Sequence, residues 1–340
     1  MNTLHTPSMS ALPQRPIGPL SSSALGLGCM GMSEFYGASD DHASLQVLAR
    51  ALERGITHFD SADTYGLGHN ESLLGRFLAE APERRAQVLI ATKFGIVREA
   101  GRYERRIDNS PAYLRSACEA SLRRLGVDCI DLYYCHRRDP AVPIEDLMGS
   151  LADLVQAGKI RAIGLSEVSA ATLQRAHAVH PVAAVQSEYS LWSREPENQL
   201  LTTCAQLGTA FVAYSPLGRA FLTGQLNPAA LAPDDFRRHN PRFQAEAAAH
   251  NQLLVDALAR FAAERGASSA QVALGWLLAK HPHVIPIPGT RKIARLEENA
   301  AACALPLSPT DLGWLDALFD PGTIAGARYP EAGMTGIESD

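Results

Sequence analysis

The 340-residue chain is 46% hydrophobic and 20% charged, which supports a large globular core and excludes a disordered polypeptide. Its 31 Lys and Arg against 36 Asp and Glu leave a formal net charge of -5, without the basic field that draws a protein to nucleic acid or anionic membrane. The opening MNTLHTPSMSALPQRP lacks the charged and apolar regions of a secretory signal, no stretch is long and apolar enough to span a bilayer, and six scattered cysteines without CxxC spacing read as reduced core thiols. A cytoplasmic protein with a frayed start is expected, and no metal site.

From residue 24 onward, short aliphatic runs alternate with helical patterns. The predicted strands are ALGLG (24 to 28), THFD (57 to 60), VLIATK (88 to 93), CIDLYYCH (129 to 136), IRAIGLS (160 to 166), VAAVQSE (182 to 188), AFVAYS (210 to 215) and HVIPIPG (283 to 289). The first runs into GLGCMG, which matches the GxGxxG dinucleotide fingerprint. No helical pattern opens before about Asp40, so a tight turn is the better reading than a Rossmann site.

Helices are predicted at about 40 to 54, 70 to 80, 169 to 178, 196 to 207, 249 to 265, 268 to 280, 291 to 302 and 309 to 319. Two more have readable ends. Ser110 and Pro111 open one whose stripe is Leu114, Ala117, Cys118, Leu122 and Leu125 and which Gly126 stops; Pro143 opens another, with Ile144, Leu147, Met148, Leu151, Leu154 and Val155 recurring at helical spacing before Gly158. Eight strands alternating with helices predict a parallel sheet closed into a (β/α)8 TIM barrel, one domain over 1–340 with its core at about 24–319 and residues 1–20 and 325–340 peripheral or disordered. The irregular stretch from 216 to 244 follows the seventh strand, on the active face of such a barrel.

Most of these strands end in a polar side chain: Asp60, Lys93, His136, Ser166, Gln186 with Glu188, and Tyr214 with Ser215. Taken singly, Asp60 or Asp63 could cap a turn, Lys93 could be solvated, His136 a satisfied core histidine and Tyr65 a packing residue. Converging at one end of a barrel, they form a proton-donor site. An ammonium at Lys93 favours a Tyr65 phenolate and is expected to lower its pKa, Asp60 keeps Lys93 protonated, and His136 can hydrogen-bond a carbonyl oxygen. Hydride must come from a cofactor, because no side chain supplies it. The Gly-Thr-Arg-Lys turn before a helix at 289 to 292, with Arg291, suits the ribose monophosphate of NADPH; Ser166 and Gln186 could hold the nicotinamide amide, and Tyr214 offers a stacking face.

FDSADTYG, ATKFG, LYYCHRRDP, KIRAIGLSE, AVQSEYSLWSRE, AYSPLGRAFLTG and IPIPGTR...RLEEN, in this order, resemble the aldo-keto reductases from about Ala24 to Phe319. The resemblance is to bacterial and plant members with His-Arg-x-Asp-Pro after the fourth strand, and it implies a barrel without a Rossmann domain and an NADP(H)-dependent oxidoreductase. It places Asp60, Tyr65, Lys93 and His136 in the catalytic tetrad, Ser166 and Gln186 on the carboxamide, and Tyr214 under the ring. It puts Ser215, Pro216, Leu217, Gly218 and Arg219 in the pyrophosphate loop, and Gly289, Thr290, Arg291, Arg295, Glu298 and Asn299 on the adenosine phosphate. Cys29 stands where relatives often carry Thr, and Glu167 where many carry Asn. The function expected is NADPH-dependent reduction of an aldehyde or ketone, with Trp192 joining Tyr65 and His136 on the substrate. An NADP(H)-holding redox-sensing subunit and a Schiff-base lyase using Lys93 are the alternatives. The expected partner is a small carbonyl compound, and nothing in the sequence indicates an oligomer.

Overall fold

The structure, a computed structural model, describes residues 12–340 apart from 101–104 and 234; the expected frayed start before residue 12 lies outside them. Eight parallel strands follow one another around the sheet: β1 (Leu27–Gly28), β2 (His58–Asp60), β3 (Leu89–Phe94), β4 (Ile130–Cys135), β5 (Ile160–Ser166), β6 (Val182–Glu188), β7 (Ala210–Tyr214) and β8 (Val284–Pro286). The two edges meet where the Gly26 N–H donates to the Pro286 carbonyl at 3.0 Å and Gly28 bridges Gly289. With helices between the strands, this is the expected (β/α)8 barrel.

The expected tight turn follows as a 3-10 turn over Met30–Met32, and the seam explains the glycines before it. A Cβ on Gly28 would stand 2.8 Å from the Ile287 carbonyl oxygen, and one on Gly26 would stand 2.9 Å from Ile287 Cγ2. The glycines let two backbones close a barrel, and no dinucleotide helix follows them: α1 (Asp41–Glu53) begins only at Asp41, with the Asp40 carboxylate accepting from the Ala43 N–H at 2.6 Å.

Successive strand side chains point to opposite faces. Leu89, Ala91, Leu132, Tyr134, Ala162, Ala184, Val212 and Ile285 point inward and form one cluster. Their neighbours Phe59, Ile90, Tyr133, Ile163, Val185 and Phe211 point outward and pack on the helix layer through Val47, Leu74, Leu122, Leu151 and Leu173. Stepping by two along each strand, the inward parity reaches Asp60, Lys93, His136, Ser166, Gln186 and Tyr214 at the C-terminal ends. The interior is filled below them, so ligands can meet only this last layer.

The helices are α2 (His69–Glu80), α3 (Pro111–Leu125), α4 (Ile144–Gln156), α5 (Ala170–Val179), α6 (Leu200–Leu207), α7 (Ala245–Ala263), α8 (Ser269–Lys280), α9 (Ile293–Ala301) and α10 (Pro309–Leu318). None of the described helices is long and apolar enough to cross a membrane. The ends of α3 form as the sequence suggests: Ser110 Oγ accepts from the Tyr113 N–H at 3.3 Å, and Gly126 ends the helix at φ 66°.

The described residues near both ends are more ordered than expected. Residues 14–23 form a hairpin, Gln14–Ile17 with Leu20–Ser23, whose Ile17 and Leu20 pack on the barrel interior from the N-terminal side. Residues 325–340, expected to be peripheral or disordered, instead run as a strap over the C-terminal face. Asn251 bonds Ala325 at both its N–H and its carbonyl, the Asn240 amide donates to the Arg328 carbonyl at 2.9 Å, and the Glu338 carboxylate accepts from the Ser169 N–H at 3.0 Å. The 216 to 244 stretch is partly ordered by short 3-10 turns, among them Phe221–Thr223 and Phe236–His239.

Candidate active site

Lys93 is fully buried, and its ammonium donates to Asp60 Oδ1 at 2.5 Å, to the Ser61 carbonyl at 2.7 Å and to the Tyr65 hydroxyl at 3.4 Å. All three of its protons therefore have acceptors. The second Asp60 oxygen accepts from the Gln186 amide at 2.7 Å. His136 meets Tyr65 edge to face, with ring centroids 5.8 Å apart. Beneath them the Tyr134 ring lies 5.9 Å from the Lys93 ammonium, in space left by Gly164, where a Cβ would come within 2.3 Å of that ring.

Tyr65 comes from the β2–α2 loop, and the chain must bend sharply to present it. Gly66, Leu67 and Gly68 all have positive φ, of 56°, 54° and 92°. The first turn of α2 pins this loop. Asn70 accepts from the Ser61 hydroxyl at 2.7 Å and donates to the Cys29 carbonyl at 2.8 Å, while buried Glu71 accepts from Thr92 at 2.6 Å and from Arg124 at 2.7 Å. The Asp63 N–H ties the loop to β3 through the Lys93 carbonyl at 3.0 Å, whereas its carboxyl turns away toward Tyr113. Burial, reinforced by nearby Glu71, pushes that carboxyl up to about 8. Asn70 and Glu71 were not recognised from sequence; both sit just after the loop, where a polar residue reads as an ordinary helix start.

The electrostatics correct one expectation. Burial raises the Tyr65 phenol above its ordinary value; Lys93 pulls the other way and does not win. Burial alone would lower Lys93, but Asp60 and Tyr65 outweigh it and hold the ammonium above its ordinary value. For His136, burial and then the charges of Arg137, Lys93, Arg105 and Arg98 all act downward, so the imidazole is neutral. The site thus holds a protonated phenol, a fixed ammonium and a neutral imidazole side by side.

The sequence matches the model of the aldo/keto reductase family over residues 24–320. The chain belongs to the aldo/keto reductase family. It is 42% identical over 334 residues to aldo-keto reductase yakc [NADP(+)] of Schizosaccharomyces pombe, covering 97% of this chain and 98% of that one, and 44% identical over 308 residues to probable aldo-keto reductase 1 of Glycine max, covering 90% and 88%. Among solved structures it resembles the glycerol dehydrogenase AKR11B4 of Gluconobacter oxydans, with a TM-score of 0.82 at 30% identity over 92% of this chain and 97% of that one. The holo form of AKR11C1 from Bacillus halodurans gives 0.75 at 27% identity, covering 94% and 98%.

The cofactor used in the aldo/keto reductase family is NADP(H), and the donors of this chain fit its phosphates. Helix α9 starts at Lys292 without a side-chain cap, flanked by Arg291 and by Arg295 in its first turn. Arg291 also clasps the loop after β1, donating to the Tyr36 and Gly37 carbonyls at 2.7 and 3.1 Å, and Arg295 is held by Glu298 at 2.8 Å and by Gln225. Thr290 Oγ1 accepts from the Lys292 N–H at 3.1 Å, Gly289 meets Gly28 at the seam, and Asn299 is buried on α9. Toward the nicotinamide candidates, Ser166 Oγ accepts from Arg137 at 3.3 Å, and the Tyr214 hydroxyl lies 3.1 Å from that of Tyr329 and accepts from Arg328 at 2.8 Å.

Two expected site residues are placed otherwise. Arg219 turns its guanidinium inward to Glu188 at 2.7 Å and is buried, so its charge is already paired, and Ser215, Gly218, Arg219 and Ala220 bend the loop with positive φ. Trp192 is 3% exposed in an aromatic group with Phe221 and Phe243, beneath Gly218, where a Cβ would come within 2.5 Å of its ring. No ring contact or hydrogen bond among the described residues links it to Tyr65 or His136. Its place after a polar strand end looked like a mouth position, but the β7 loop packs over it. Glu167 accepts from the Glu188 N–H at 3.1 Å and from Arg328, so its carboxylate is committed to the strap.

Proposed function

We propose that this oxidoreductase is an NADPH-dependent reductase of aldehydes or ketones in which Tyr65 is the general acid. The observation that carries this reading is the chain of contacts from Asp60 through Lys93 to the Tyr65 hydroxyl, beside a neutral imidazole. When bound, NADPH supplies the hydride. Tyr65 and His136 hydrogen-bond the carbonyl oxygen and orient it, and as charge grows on that oxygen the phenol proton moves to it. The raised Tyr65 value suits this direction, because the phenol carries its proton at neutral pH and an alkoxide is a stronger base still. Lys93 limits the cost of the phenolate that forms, and Asp60 keeps Lys93 in place.

The same contacts argue against a Schiff-base role for Lys93: its ammonium is stabilised and all three protons are engaged, whereas an amine nucleophile must be neutral. Ser166, Gln186 and Tyr214 are proposed to hold the nicotinamide end, with the carboxamide meeting the Gln186 carbonyl side, since its amide is bound to Asp60. The α9 end with Arg291 and Arg295 is proposed to hold the phosphate of the adenosine half. The test is Tyr65→Phe with NADPH binding followed by fluorescence. Binding is expected to persist while carbonyl reduction falls by roughly 10²- to 10⁴-fold; reduction at the wild-type rate would refute the assignment.

A further inference from the structure

Arg137 follows His136 directly, yet nothing above uses its charge. Its side chain is 6% exposed, one terminal nitrogen donates to the His136 carbonyl at 2.7 Å and to Ser166 Oγ at 3.3 Å, and its Nε has no hydrogen-bond partner. No carboxylate lies within ion-pair distance of it among the described residues. Burial opposes its charge, but Tyr214 and Glu167 at longer range hold the guanidinium above its ordinary value, and Glu167 is itself bound by Arg328 and by the Glu188 amide. Buried guanidinium groups elsewhere on this face all have carboxylates: Arg219 and Arg328 have Glu188, Arg242 reaches Glu188 at 3.7 Å, and Arg98 has Glu34 at 2.6 Å.

A desolvated cation without a counterion is costly, and a fold that keeps one between the carbonyl-orienting histidine and a candidate cofactor contact leaves its charge to be met by a ligand. The cofactor's carboxamide is neutral and cannot balance it. A carboxylate can, and its two oxygens match the planar guanidinium fork. Arg98 and Arg105 add positive potential at the same histidine.

We infer that Arg137 is a specificity-determining residue that selects carbonyl substrates carrying a carboxylate, pairing with that group while the carbonyl oxygen lies between Tyr65 and His136. The inference rests on the reductase reading above. It is tested at neutral pH with 2-, 3- and 4-carboxybenzaldehyde, each paired with its methyl ester, and NADPH. Reduction of either member of a pair establishes the parent reading by itself; inertness of acids and esters alike would sink that reading, whatever Arg137 does.

For at least one isomer, wild-type kcat/KM for the acid is expected to exceed that for the ester by roughly 30-fold or more, the scale of a buried charge pair, and Arg137→Met is expected to remove that preference. Arg137→Lys, which keeps a charge but loses the fork, should retain part of it. Esters reduced as well as acids in all three pairs by the wild type would overturn the inference without need of a variant. So would an equal loss on acids and esters in Arg137→Met accompanied by weakened NADPH binding in a fluorescence titration, which would assign the guanidinium to the cofactor.

Discussion

Replacing Lys93 by Met removes a buried ammonium and leaves an aliphatic chain of similar length. At 3.4 Å and an effective dielectric near 20, the attraction between that ammonium and a Tyr65 phenolate is about 5 kcal/mol. With proton transfer about half advanced in the transition state, half of this is felt, so kcat for reduction should fall by roughly 60-fold or more. The pH dependence is more diagnostic. Alcohol oxidation with NADP+ needs the phenolate, so its rise with pH should move to higher pH in the variant, because Lys93 is the group that lowers Tyr65. Asp60, 2% exposed, would keep only Gln186 as a side-chain partner, costing about 3 to 5 kcal/mol of stability, so the variant is paired with Asp60→Asn/Lys93→Met, which leaves no buried charge. The double variant should recover stability while keeping a smaller upward shift. An oxidation profile unmoved in both proteins would refute the idea that Lys93 sets the acidity of Tyr65.

Asp60→Asn alone should act in the opposite sense, because the carboxylate raises Tyr65 while Lys93 lowers it; the rise of alcohol oxidation with pH should begin at lower pH than in the wild type. Gly164→Ala drives a Cβ to 2.3 Å from Tyr134 beneath the tetrad and should destabilise the fold by about 1 to 3 kcal/mol, read as a lower denaturant midpoint. Burial would push Glu188 up, but Arg219, Arg328 and Arg242 bring it down to about 2, below an unfolded carboxyl near 4.3. A depressed carboxylate stabilises above its unfolded value and loses that contribution as pH falls through its folded value, so the wild type should lose about 3 kcal/mol between pH 5 and 2 from this group, and Glu188→Gln should show a shallower slope in that window.

The barrel was legible because its signals are local. Strand and helix periods alternate, and each strand is mostly apolar and closes on a polar residue of inward parity, which is why Asp60, Lys93, His136, Ser166 and Gln186 could be named and are found on one face. What escaped depends on partners far away in sequence. Arg219 after β7 reads equally well as an anion ligand or an ion-pair residue, and only the approach of Glu188 decides between them. The strap from 325 to 340 has neither helical nor strand periodicity, and its order comes from contacts such as Arg328 with Glu188 and Glu338 with Ser169. The sign of the Tyr65 shift was missed for a related reason: the pairing with Lys93 is visible in the motif, but the burial that outweighs it belongs to the assembled mouth.

Net charge misleads about this mouth in the same way. The chain carries -5 overall, which argues against polyanionic partners. Beneath the C-terminal face, however, Glu167 and Glu188 lie buried among the guanidinium groups of Arg137, Arg219, Arg242 and Arg328, so cations exceed carboxylates in that layer. Three of those four converge on Glu188 and lock β6, the β7 loop and the strap together. Their charge is largely spent on structure. Arg137 alone of the four has no carboxylate within ion-pair distance among the described residues, and it joins Lys93, Arg105 and Arg98 in the positive potential at His136. A small anion can respond to that local field although the net charge of the chain is negative. Composition therefore speaks to macromolecular partners, and the placement of Arg137 carries the proposed preference for a carboxylate-bearing substrate.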